Sequence, residues 1–185
     1  MFISTQGPTK NTFNQFWKMT YLNKSELIIM LCNLFEDTRI KCNQYWPSKI
    51  GEKVVYENIN TNNNTNTSNN NPNNMIHQLN MEVEMISEKK ILDDMIIERT
   101  FIIQPKAKKN ENTEQDSQLE NKEWEKRKIT QLHVTCWPDH SVPKNNEQFR
   151  LFDYLVNCIH SNYKKSYEND ITNLQNKDFH FTRKH

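Results

Sequence analysis

Glycine is almost missing from this 185-residue chain: it occurs only as Gly7 and Gly51. A phosphate-cradling loop needs backbone that approaches its ligand closely, and glycine usually supplies it. No stretch here has the glycine content for one. Long apolar runs are also absent. The longest, LIIMLC at residues 27–32, falls far below the ~20 residues of a membrane span. The opening MFISTQGPTK has no basic region followed by an apolar core, so no signal peptide is expected. Neither sign of charge dominates, with 24 basic and 23 acidic residues, which leaves no electrostatic case for nucleic acid or an anionic membrane. The four cysteines (Cys32, Cys42, Cys136, Cys158) form no CxxC and show no His/Cys metal spacing. No metal and no cofactor are therefore expected. Reduced thiols point to a cytoplasmic chain, or to the intracellular part of a larger protein.

What the chain has in excess is asparagine. In residues 58–74, 11 of 17 are Asn, a composition that cannot bury enough apolar surface to offset its ordering entropy. Disorder is expected there. Residues 105–127 are charged and almost free of aliphatics, which predicts a long exposed loop with some helical content. Both segments read as expansions of surface loops.

The remainder is periodic. Thr12 with Gln15 predicts a capping box, followed by Phe13, Phe16, Trp17 and Tyr21 at helical spacing. Trp17 and Phe16 read as core. The aliphatic run 27–31 predicts a strand covered on both faces. Residues 83–86 and 95–103 predict further strands. In the second, Ile97, Phe101 and Ile103 share a face on which Arg99 is the exception, and Ile96, Glu98, Thr100 and Ile102 take the other. Residues 129–135 alternate too, with Leu132 and Val134 on one face. Asn145 and Gln148 open a helix with Phe149, Phe152, Leu155, Val156 and Ile159 as its apolar stripe. Beyond Lys164 the pattern dissolves into polar residues. Strands and helices mix without strict βαβ alternation, which favours a mixed sheet packed with helices.

Between the last strand and that helix lies TCWPDHSVP, residues 135–143. Pro-Asp is ordinary turn chemistry, so Asp139 reads either as a solvated turn residue or as a general acid on a loop. Four further stretches bear on the choice: FISTQGP (2–8), TFNQFWKM (12–19), LIIMLCN (27–33) and KCNQYWP (41–47). In this order, and with the two insertions set aside, the five blocks resemble the signature blocks of the classical, tyrosine-specific protein tyrosine phosphatases. The resemblance runs from Phe2 to about Ile159 and covers part of a phosphatase domain.

The resemblance implies an α/β fold of α+β type, a highly twisted mixed β-sheet flanked by helices, incomplete at both ends. It divides the chain into a partial domain at 1–160, carrying the insertions 58–74 and 105–127, and an unassigned polar tail at 161–185. It implies hydrolysis of phosphotyrosine on proteins through a cysteinyl-phosphate intermediate, with no metal. Asp139 takes the position of the general acid and base. Trp137, Pro138, His140 and Pro143 belong to the loop that supports it, and Lys41 falls where family members place a lysine near the rim of the site. Tyr45 and Trp46 read as core packing.

Two departures stand against full activity. The family nucleophile is a cysteine followed, after five residues, by arginine in a glycine-rich loop. Cys32 precedes Arg39 by six residues that include Glu36 and Asp37, and Cys158 precedes only Lys164 at the required distance. No cysteine of this sequence fits, and all four read as small, partly buried thiols. Ser141 stands where the family usually has glycine. The chain is thus expected to be inactive alone; a dead phosphatase-like binding or scaffold protein, or a truncated gene product, are the other readings.

Overall fold

Strands form where β-branched and aliphatic runs recur. In the computed structural model these are β1 (Leu27–Met30), β2 (Phe35–Glu36), β3 (Arg39–Ile40), β4 (Lys53–Tyr56), β5 (Asn80–Ile91), β6 (Ile96–Lys106) and β7 (Arg127–Val134). The helices are α1 (Phe13–Leu22), entered through a single 3-10 turn at Lys10–Thr12, and α2 (Asn146–Phe181). The structure describes residues 2–36, 38–59, 79–107, 124–137 and 146–181, with side-chain surroundings in α2 for 149–165, 167 and 168. The backbone divides into two units, Met1–His140 and Ser141–His185.

The first unit is a five-stranded sheet in the order β1-β7-β6-β5-β4, beside the small β2–β3 hairpin. β1 runs parallel to β7, from Leu27 opposite Thr130 to Met30 opposite His133. The other three pairings are antiparallel. This is the mixed sheet of an α+β fold that the sequence predicts. β7 is buried on both faces, with Ile129, Gln131 and His133 on one and Leu132 and Val134 on the other. β1, expected to be covered on both faces, is only half-buried over Leu27–Ile29 and pairs on one side among the described residues. Leu31, just beyond it, is exposed.

Trp17 of α1 is the centre of the core. It is fully buried, its ring 5.4 Å from Phe101 and 5.7 Å from Tyr45. Its indole N–H donates to the Tyr45 carbonyl at 2.8 Å. Tyr45 and Trp46 are core residues as expected, while Phe16 is only partly buried. The expected Thr12–Gln15 cap does not form. Instead the Thr9 N–H donates to Thr12 Oγ1 at 2.9 Å, so the capping interaction sits one turn earlier, at the 3-10 entry. Gln15 Oε1 is buried without a hydrogen-bond partner.

β5 and β6 extend beyond their sequence-predicted limits because cross-strand pairs carry them outward. Glu82 accepts from Gln104 at 2.6 Å and pairs with Lys106. Lys89 meets Glu98 at 2.9 Å. Pro105 and Lys106 are therefore strand, opposite Met81 and Asn80. The stem of the asparagine-rich segment is likewise tied down. Asn58 is buried, and its backbone N–H donates to Asn80 Oδ1 at 3.0 Å. Asn14 Nδ2 donates to the carbonyls of Tyr56 at 2.8 Å and Leu79 at 3.4 Å, one on each side of residues 60–78. Residues 60–74 and 108–123, the bulk of the two expected insertions, lie outside the described residues.

In the second unit α2 runs through the polar tail to Phe181, where the sequence shows no apolar periodicity. The expected stripe is also displaced. Leu151 and Leu155 are buried, whereas Phe149, Phe152 and Val156 are exposed.

The clamp on the asparagine-rich segment makes two opposite changes distinguishable. Asn14→Ala strands the buried Leu79 carbonyl and the half-buried Tyr56 carbonyl and is expected to cost about 1–3 kcal/mol. Deleting residues 62–75 alters only loop closure and should shift stability by less than about 1 kcal/mol. Urea unfolding of both variants checks this; a deletion more damaging than Asn14→Ala would show that the segment itself holds the fold.

Candidate active site

The strand that leads to TCWPDHSVP is fixed before the motif begins. Thr135 directly follows β7, and its N–H donates to the Met95 carbonyl at 3.0 Å. Its hydroxyl is 3.2 Å from the carbonyls of both Asp94 and Met95, in the β5–β6 turn. That turn holds Leu92, Asp93 and Asp94 in left-handed backbone, at φ of 53, 54 and 65°. From the other side Asn33 Nδ2 donates to the Thr135 carbonyl at 3.1 Å. The stem is gripped by two separate segments.

Of the residues the sequence selects, Trp137 and Lys41 are described. Trp137 is half-buried, two residues beyond the stem. Lys41 is exposed at the base of the β2–β3 hairpin, where its backbone N–H donates to the Leu34 carbonyl at 2.9 Å. Residues 33 and 34 thus hold both, Asn33 through the Thr135 carbonyl and Leu34 through Lys41. Pro138, Asp139, His140, Ser141 and Pro143 lie outside the described residues. Sequence reasoning missed Asn33; its only signal is a polar amide directly after an aliphatic strand.

Behind this stem lies a buried polar network, which the sequence hinted at only through the Arg99 exception. Arg99 is 6% exposed, yet it carries a full charge. Its Nε donates to Glu88 Oε2 at 2.6 Å, and its Nη1 is 3.2 Å from both Gln131 Oε1 and His133 Nδ1. The guanidinium also covers the Trp46 ring, 4.6 Å from its centroid. Gln131 Nε2 donates onward to the Tyr45 hydroxyl at 2.8 Å.

The arginine fixes the imidazole tautomer. Guanidinium nitrogens only donate, so His133 Nδ1 must accept. The proton then sits on Nε2, which donates to the Cys32 carbonyl at 3.0 Å. Burial, and then the Arg99 charge, hold the His133 pKa below the ordinary histidine value. His133 is a neutral link between the charge and the strand end after β1.

None of the four cysteines is in a disulfide. Burial, followed by the neighbouring Cys32, pushes the Cys42 thiol up to about 11, and burial also raises Cys136. Neither is a thiolate nucleophile near neutral pH. Among the described residues no three His, Cys, Asp or Glu side chains gather as a metal site, and no helix is long and apolar enough to cross a membrane.

Comparison with known proteins bears on these residues. The family model described as protein-tyrosine phosphatase matches residues 1–97 and again 80–173, beyond the Ile159 limit read from the motifs. Tyrosine-protein phosphatase 1 of Dictyostelium discoideum is 32% identical over 149 residues, 80% of this chain and 23% of the relative. The human receptor-type tyrosine-protein phosphatase eta is 33% identical over 155 residues, 84% of this chain and 8% of the relative. The Lar-like tyrosine-protein phosphatase of Caenorhabditis elegans is 28% identical over 163 residues, 87% and 6% respectively. The chain spans less than a quarter of the length of these relatives.

Because His133 is held neutral, its linkage has a definite sign. An unfolded histidine titrates near 6.5, above the lowered folded value. Stability from this group is complete above about pH 6.5 and falls as pH drops toward the folded value, by up to about 1.4 kcal/mol per pH unit. Urea midpoints between pH 8 and 5 should decline more steeply for the parent chain than for His133→Asn. Parallel declines would show that folding does not lower the His133 pKa.

Proposed function

This chain belongs to the protein-tyrosine phosphatase family, and from that premise we propose that it carries the acid-bearing part of a phosphotyrosine-hydrolysing unit, with Asp139 as general acid and base. One observation carries the reading: WPDHSVP follows a strand buried on both faces, whose end is anchored at Thr135 by Asn33 and by the β5–β6 turn. An acid mounted directly after such a stem inherits its position from the core.

The chemistry requires that group. A tyrosine leaving group has a pKa of ~10, so its departure as phenolate near neutral pH is poor. A carboxylic acid that hands over its proton as the P–O bond breaks removes the difficulty, a contribution on the order of 10²–10⁴-fold. The same carboxylate then takes a proton from the water that attacks the phosphocysteine. Trp137 and Pro138 set the start of the loop, Pro138 by fixing φ. His140 and Pro143 complete it, and Lys41 stands at the rim. The substrates are phosphotyrosine-bearing proteins in the cytoplasm, and nearly balanced charge supports no nucleic-acid partner.

The nucleophile is not supplied by these residues, since no cysteine of the sequence has arginine after five residues. Residues 1–185 are therefore expected to give no phosphotyrosine turnover above background. Joined to the corresponding nucleophile segment of an intact relative, the chain should turn over phosphotyrosine peptides. Asp139→Asn should then slow that reaction about 10²-fold or more, and matter far less for an aryl phosphate whose leaving group needs no proton. Equal losses on both substrates would make Asp139 a loop-shaping residue. Phosphopeptide binding without turnover in the joined chain would favour the scaffold reading instead.

A further inference from the structure

The thiols of Cys32 and Cys42 take no part in the charge network, yet the two residues pack in one core. Cys32 follows β1 and Cys42 follows β3. The Leu34 carbonyl accepts the N–H groups of Lys41 at 2.9 Å and Cys42 at 3.4 Å, so the segments entering and leaving the β2–β3 hairpin run side by side at its base. Both cysteines pack in the core around Trp17, Tyr45 and Trp46. The Cys42 thiol donates to the Asn43 carbonyl at 3.3 Å, and Cys32 is near enough to add to the upward shift of that thiol. On its other side Gly7 closes over the sulfur: a Cβ there would come within 2.6 Å of Cys42 Sγ. Cys42 is thereby sealed in, and Cys32, which is only half-buried, is the member an oxidant can reach.

We propose that Cys32 and Cys42 are a redox-sensitive dithiol that closes to a disulfide across the base of the β2–β3 hairpin when the protein meets a peroxide. The Cys32 thiolate attacks one peroxide oxygen, the O–O bond breaks, and the departing hydroxide takes up a proton as water. Cys32 is then a sulfenic acid. Cys42 gives up its proton as its sulfur attacks Cys32 sulfur, and the S–O bond breaks to release a second water. Two thiols lose two electrons and one peroxide is reduced to two waters. Cys42, held protonated by burial, does not react with peroxide on its own and must lose its proton in the second step. The bond would act on the acid-loop stem. The Cys32 carbonyl accepts from His133, and the next residue, Asn33, holds Thr135.

The reduced full chain, treated with hydrogen peroxide, alkylated and digested with trypsin, separates the two cysteines onto peptides 25–39 and 42–49. A link between these peptides, two hydrogens lighter than their sum and released by dithiothreitol, is the expected main product. Cys32→Ser and Cys42→Ser should each abolish it. Because the fold holds the sulfurs together, link formation in the native chain should be about tenfold faster than in urea or more. A dominant link through Cys136 or Cys158, sulfinic acid at Cys32 without a link, or equal rates in urea would each overturn the proposal.

Discussion

A buried guanidinium constrains more of this fold than any apolar contact. Taking a charge out of water costs several kcal/mol unless its partners are all in place, and those of Arg99 come from three directions. Glu88 on β5 stands directly opposite it, as does Gln131 on β7. Trp46, from the segment after the hairpin, covers its face. A slip of one residue in either pairing would turn Arg99 to the other face and leave these partners unmet. The charge thus specifies register on both sides of β6. A bulge between Met85 and Ser87 completes the arrangement. Were the pairing of Met85 with Phe101 simply continued, Glu88 would meet Glu98 and Arg99 would face Ser87. The one-residue shift at Ile86 removes a like-charge pair and brings a carboxylate to the arginine. Backbone bonds hold the bulge from outside, with the Gly51 N–H donating to the Met85 carbonyl at 2.7 Å and the Met85 N–H to the Glu52 carbonyl at 3.2 Å.

α1 performs a second task, closing the stems of both low-complexity segments. Asn14, near its start, bridges Tyr56 and Leu79. Tyr21, near its end, donates through its hydroxyl to the Glu125 carbonyl at 3.0 Å, while Arg127 donates to the Tyr21 carbonyl at 2.9 Å and lies over its ring. Trp17 stands between them and ties the helix to the sheet. With the stems closed in this way, lengthening the chain between them costs closure entropy, which grows only slowly with length. That is the physical reason two long polar segments can interrupt one sheet.

How far the sequence revealed this follows the same division. Trp17, Tyr45 and Trp46 were legible because large aromatics in regular patterns have few places to go except a core. β7 was legible from its alternation, although Gln131 and His133 are as buried as the aliphatics between them. Arg99 looked like a flaw in a strand face, since periodicity cannot tell that a charge has partners from three segments. Edge position is equally invisible, for LIIM reads the same whether one or two strands flank it. In α2 two overlapping apolar stripes were available, and the exposed one, Phe149–Phe152–Val156, has the larger side chains. Past Lys164 helix continues through a polar sequence, with Lys164 and Glu168 paired at i,i+4 spacing. The motifs were legible for a different reason: their order along the chain survives insertions that erase spacing.

The charge network and the Thr135 stem meet at a single stretch after β1. The charge network ends at the Cys32 carbonyl, the acid-loop stem is held by Asn33, and Leu34 anchors Lys41. Three consecutive residues therefore connect a buried charge, the stem at Thr135 and Lys41. Arg99 holds His133, His133 donates to the Cys32 carbonyl, and the next residue, Asn33, donates to the Thr135 carbonyl by one hydrogen bond of 3.1 Å. Trp137, two residues beyond Thr135, follows a stem whose position is set by the cost of moving a buried arginine. A carboxylate that must meet a leaving oxygen within a hydrogen-bond length needs such a reference, and here the nearest rigid one is electrostatic in origin.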